Sequence, residues 1–225
     1  MRVRRTLVFA CSSGGWALDM RPTWIPGGAL RLPPGLFGSI LPLNSSLRTL
    51  QMARVAVRLY TALAARLRDI PGVFDSPVRE SEAANLRSVA DCLRKDLDAM
   101  PPALKSGFPP AKGQPWALFD QAVGLALAHD NLAEMLDTRR IWGKDLRLKG
   151  LENLSSDQLF FVYYALDNCQ RSDAQAQRRL PWALGGQERV NGPLRHWAPF
   201  AKHFGCLDGE PMVAPKRCTL LDAHA

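Results

Sequence analysis

The segment HDNLAE (129–134) sets a histidine beside an aspartate, with a glutamate one helical turn further on. Imidazole and carboxylate within a turn of helix offer a two-ligand face for a metal such as zinc. His129, Asp130 and Glu134 are therefore the first candidates for chemistry. The commoner role of such a histidine is a surface ion pair, and Arg139 and Arg140 follow within reach of Glu134 or Asp137. Residues 1–128 contain no histidine at all, and His196 and His203 read as helix-surface or structural residues. The five cysteines are Cys11, Cys92, Cys169, Cys206 and Cys218. None forms a CxxC pair, which argues against a zinc knuckle or a thioredoxin-type motif. They fit buried thiols, or one or two disulfides with a cysteine left over.

The elements that must carry these residues are helices. In ARVAVRLYTALAARL (53–67) and just before it, Met52, Val55, Leu59, Leu63 and Leu67 recur at steps of three and four, with Arg54 and Arg58 one turn apart. This predicts a helix from about Ser46 to Arg68, its apolar rhythm packed into the core and Pro71-Gly72 as its stop. A second helix is expected from Ser76 or Ser81 to Pro101, with Leu86, Val89, Leu93 and Leu97 inward. A third should run over 116–140, with Leu118, Val123, Leu127, Leu132 and Met135 on its inner face. The fourth, 156–170, opens on a serine cap and holds LFFVYYAL, apolar enough to be buried on most sides. Loops and a shorter helix over 194–204 follow. Residues 101–115, rich in Pro and Gly, are expected as a surface loop, and a short edge strand is expected near Trp24-Ile25.

Length and composition bound the possibilities. The chain has 225 residues, 47% of them hydrophobic, so a sizeable core can be buried. No run reaches the ~18 apolar residues of a membrane span. The net charge of +8 comes from arginines spread along the chain, not from a basic block, so no nucleic-acid partner is expected. The start, MRVRRTLVFACSSGGWA, is similar to a signal peptide with a short apolar run, Thr6 to Cys11.

The last third carries the most specific pattern. DQLFFVYYALDNC (157–169) is followed by ERVNGPLRHWAPFAKHFGC (188–206) and GEPMVAPKRC (209–218). The ordered set Gln158, Leu159, Phe160, Phe161, Cys169, Arg189, Phe200, Phe204, Cys206, Met212 and Cys218 resembles the C-terminal end of the neprilysin-like zinc endopeptidases, the M13 family. WIPGGALRLPP (24–34) looks like the segment that precedes that family's zinc helix. DNLAE (130–134) looks like its E-N-I-A-D segment, and Cys92 matches a family cysteine. The resemblance implies a mainly α fold, the helical C-terminal part of a thermolysin-like zincin, over residues 21–218. Residues 1–20 would then be a leader or a poorly ordered start, and 219–225 a tail.

The same resemblance implies the chemistry to look for. The family holds zinc with H-E-x-x-H, two imidazoles on one helix face with a general base between them, plus a later carboxylate. The matching positions are Arg58, Leu59 and Ala62. A guanidinium is not deprotonated at working pH and repels a cation, Leu59 takes no proton, and Ala62 has no lone pair. Asp130 stands where the family has its ligand glutamate, and Glu134 where it has an aspartate. Ala183 stands where the family has its transition-state histidine, whereas Arg189 keeps the substrate-gripping arginine. No Asn-Ala pair precedes the region, and VFA (8–10) stands nearest to it. The family pairing implies a Cys92–Cys218 disulfide. It also leaves Cys169 and Cys206 free, bonded to each other or bonded to another chain.

The expected function is that of an inactive M13 metalloendopeptidase homologue. It would need no cofactor although the family uses zinc, would have a peptide or protein partner, and would lie extracellularly or in the secretory pathway. The alternatives are a fragment or isoform of a larger M13 protein, an active metallopeptidase, and a basic helical binding module unrelated to proteolysis.

Overall fold

A computed structural model of the chain describes residues 23–25, 29–31, 45–68, 80–106, 115–140, 147–168 and 184–218. Two short strands, β1 (Thr23–Ile25) and β2 (Ala29–Arg31), pair antiparallel with Trp24 opposite Leu30. The other elements are helical: α1 (Ser45–Arg68), α2 (Glu80–Ala99), α3 (Pro115–Arg140), α4 (Ser156–Asn168), α5 (Gly186–His196) and α6 (Ala198–Phe204), with a 3₁₀ turn at Pro102–Leu104. The mainly α class expected from the sequence is the one observed.

Helix α3 is the centre of the packing. It lies along α1 and also touches α2, α4 and α5. Leu118, Phe119, Leu125, Ala128, Leu132 and Leu136 are all buried, whereas Leu127 and Met135 emerge on the free side. That corrects the inner face expected for this helix. With neighbours on several sides, burial does not follow a single stripe.

Helix α1 carries a second correction. Its expected apolar stripe is largely outside, with Met52, Leu63 and Leu67 exposed. The face that packs holds Leu50, Ala53 and Val57. Close approach explains the choice. A Cβ at Gly124 of α3 would lie 2.7 Å from the Val57 carbonyl oxygen and would collide with Thr61. Only glycine lets the two backbones meet there, and this contact fixes which side of α1 faces inward.

Helix α2 buries Ala83, Ala90, Leu93 and Leu97, close to the expected set. Residues 101–106 are not a free surface loop. Leu104 is fully buried, its carbonyl accepts from Asn191 Nδ2 at 3.0 Å, and Ser106 donates to Glu188 Oε1 through both its N–H and its hydroxyl. Residues 107–114 lie outside the described residues.

Helix α4 starts as its serine suggested. Gln158 N–H donates to Ser155 Oγ at 3.1 Å, and Ser155 N–H to Gln158 Oε1 at 2.9 Å, a reciprocal capping box. The single late helix expected over 194–204 is instead two helices broken at Trp197, the first beginning at Gly186. Pro193 lies inside α5 and cannot donate to the Arg189 carbonyl four residues back. The Tyr164 hydroxyl supplies the missing donor at 2.9 Å. Burial raises the Tyr164 pKa, so the phenol stays neutral and able to donate.

Candidate functional site

The residues singled out by sequence fall into three groups. The first is on α1. Arg54 Nε lies 3.1 Å from Asp167 Oδ1, and Arg58 Nε lies 3.0 Å from Asp167 Oδ2. Arg58 also donates to the Asp167 backbone carbonyl at 3.4 Å. Asp167 is next to last in α4, so both guanidiniums also sit at the negative end of that helix. Burial pushes the Asp167 carboxyl above the usual range, and the two arginines pull against that shift. Leu59 and Ala62 are half-buried on the same helix. At its end, Arg68 pairs with Asp120 at 2.9 Å and lies 5.4 Å above the Trp116 ring.

The second group is the DNLAE segment of α3. It lies beside α1, as the resemblance requires, because Asn131 Nδ2 donates to the Tyr60 hydroxyl at 2.7 Å. Asp130 and Glu134 are exposed, whereas His129 is buried. The three thus do not share one face, and the surface ion-pair role expected for His129 is corrected too, since the residue is buried. Neighbouring residues on a helix point about 100° apart, and His129 takes the inward direction. The Arg139 and Arg140 side chains lie outside the described residues.

The third group is on α5 and the tail. Arg189 Nη2 donates to the Leu184 carbonyl at 3.0 Å. Ala183 lies outside the described residues. Arg195 forms a two-pronged pair with Asp96, its Nε at 3.0 Å and its Nη2 at 2.9 Å, and also donates to the Pro211 carbonyl. His196 Nε2 lies 3.2 Å from Asp96, and its Nδ1 accepts from the Cys218 N–H at 3.0 Å. His196 is thus structural. Burial raises the Asp96 pKa, but bonds from His196 and Arg195 outweigh it and hold the carboxyl at about 2. This knot lies next to the Cys92–Cys218 disulfide, which joins α2 to the tail as the family pairing implied. Cys206 is a free thiol, its pKa raised by burial and by Glu210. Cys169 and Cys11 lie outside the described residues.

One constellation went unread in the sequence. His129 of α3, Asp157 in the first turn of α4 and His203 of α6 place their ligand atoms within 4.8 Å of one another. Gln158, fixed by the capping box, helps to dock α6 here, its Nε2 donating to the His203 carbonyl at 2.8 Å. No short-range spacing announces this cluster, because each residue comes from a different helix.

Comparison with known proteins bears on the lineage. The sequence model of peptidase family M13 matches residues 122–220. Neprilysin-2 of Caenorhabditis elegans is 40% identical over 75 residues, 32% of this chain and 10% of that protein. Neprilysin-1 of the same organism is 35% identical over 81 residues, 35% of this chain and 11% of that protein. The match thus spans about a tenth of these curated relatives. The solved structure titled Haemonchus galactose containing glycoprotein complex superposes with a TM-score of 0.61 at 21% identity, over 89% of this chain and 32% of that one. It shares the fold. By this match and these likenesses, residues 122–220 are a neprilysin-like region of peptidase family M13.

Proposed function

We propose that the chain is a non-catalytic M13 homologue that binds peptide or protein segments instead of cleaving them. One observation carries this reading: Arg58, at the position matching the family's first zinc imidazole, is a guanidinium paired to Asp167. M13 peptidases are zinc-dependent. The donor set at Arg58, Leu59 and Ala62 does not fit that ion. It offers a fixed positive charge and two side chains without lone pairs, and no carboxylate stands as general base between them. Asp130 and Glu134, the matching third-ligand segment, are exposed on α3, and α1 carries no histidine to share an ion with them.

Arg189 supports the binding half of the reading. Its Nη2 donates to the Leu184 carbonyl, and a guanidinium is the side chain best suited to a peptide carbonyl or carboxylate. The disulfide supports an oxidising compartment, extracellular or secretory. No helix among the described residues is long and apolar enough to cross a membrane. A peptide-library capture with the purified chain, repeated with Arg189→Ala, tests the binding. Capture that weakens with Arg189→Ala is expected, and capture indifferent to that change removes Arg189 from the account.

A further inference from the structure

We propose that His129, Asp157 and His203 form a divalent-metal site of the zinc class. It uses none of the residues to which the M13 resemblance assigns zinc. His129 Nε2 and His203 Nε2 lie 3.6 and 3.7 Å from the same oxygen, Asp157 Oδ1. These separations are too long for good hydrogen bonds. Donors held at ~2.0–2.1 Å around a tetrahedral ion stand about 3.3 Å apart. Small side-chain rotations therefore close the three atoms onto a metal.

The burial of His129 is an independent pointer to a ligand. The residue is 4% exposed, and neither ring nitrogen has a hydrogen-bond partner. Buried polar atoms are almost always paired, so an imidazole left this way calls for a partner. The two nearest rings supply none. Phe161 stacks on the ring with centroids 5.1 Å apart, and Phe160 lies at 5.4 Å. Neither has a hydrogen-bonding atom. A metal at Nε2 meets the need at the nitrogen that already faces Asp157.

The remaining geometry suits an ion that exchanges with solvent. The side chains of His129 and Asp157 are 6% and 5% exposed, whereas that of His203 is 29% exposed. Entry, and any fourth ligand, would come from the His203 side. Two imidazoles and one carboxylate favour zinc and similar first-row ions over magnesium or calcium, which prefer oxygen throughout. The capping box that sets the start of α4, with the Gln158 bond to α6, holds two of the three ligands in register.

The test is metal binding by the full chain, stripped with a chelator and titrated with Zn²⁺ or with Co²⁺, whose visible absorption reports a low-symmetry site. One equivalent is expected. His203→Asn and Asp157→Asn should each weaken binding by about 100-fold or more, beyond the loss typical of an outer partner. His224→Ala, in the tail, should change nothing. If Asp157→Asn does not fold, His203→Asn decides, because its side chain is partly in solvent. Absence of binding at micromolar metal overturns the proposal and leaves a structural polar cluster. Binding that survives His203→Asn overturns it too, and places the metal elsewhere.

Discussion

Asp167 accepts Arg54 on one carboxylate oxygen and Arg58 on the other. This arrangement turns the basic face of α1 inward, onto the end of α4. Asp167→Ala should leave two partly buried guanidiniums without their carboxylate and destabilise the fold by about 1–3 kcal/mol. Thermal unfolding measures this. Arg54→Ala and Arg58→Ala should each lose much less on the Asp167→Ala background than alone, and additive losses would show that the three are not coupled.

The two half-buried aspartates should shift in opposite directions. Asp167 is raised by burial, so it takes up its proton earlier as pH falls, and its ionised form adds no net stability. Asp96 is lowered to about 2 from an ordinary 3.8. Its contribution is fully present above 3.8 and is lost as pH falls through about 2. After discounting for partial solvent screening it is on the order of 1 kcal/mol. Carboxyl carbon NMR across pH 2–6, a range spanning the ~3.9 reference value, checks the order. Asp96 protonating before Asp167 would refute it.

The Cys92–Cys218 bridge closes 126 residues of chain. On the chain-entropy model that constraint is worth about 5 kcal/mol. Reduction, or Cys92→Ser with Cys218→Ser, should lower the denaturant midpoint sharply. An unchanged midpoint would mean that α2 and the tail are held by the Asp96 knot alone.

Legibility followed the local signals. The long helices α1 to α4 show in spacing, caps and proline stops, and their bounds fall close to expectation. Helix α5 did not show, because Gly186, Asn191, Gly192 and Pro193 are poor helix formers. It forms through tertiary contacts. Tyr164 bonds the carbonyl freed by Pro193, and a Cβ at Gly192 would lie 2.7 Å from Leu118 Cδ1. The inward face of α1 was misread because the sequence cannot reveal that Gly124 admits Val57 and Thr61. Arg58, Leu59 and Ala62 were found through family resemblance, whereas the partner of Arg58, Asp167, lies 109 positions away.

Restoring donors on α1 tests the placement of that helix. The combined change Arg58→His, Leu59→Glu and Ala62→His puts H-E-x-x-H on α1, at the positions matched by the resemblance. The variant should bind one more equivalent of zinc than the parent chain, and the extra equivalent should persist when His203→Asn is added. Unchanged stoichiometry would mean that these are not the zinc-helix positions.

Peptide hydrolysis by the unaltered chain is the most direct measurement. The full chain, saturated with zinc, is assayed on a mixed-sequence peptide library with and without a chelator, products being read by mass. No cleavage above the buffer background is predicted in either condition, even with metal bound at His129, Asp157 and His203. Saturable cleavage that the chelator abolishes would contradict the account.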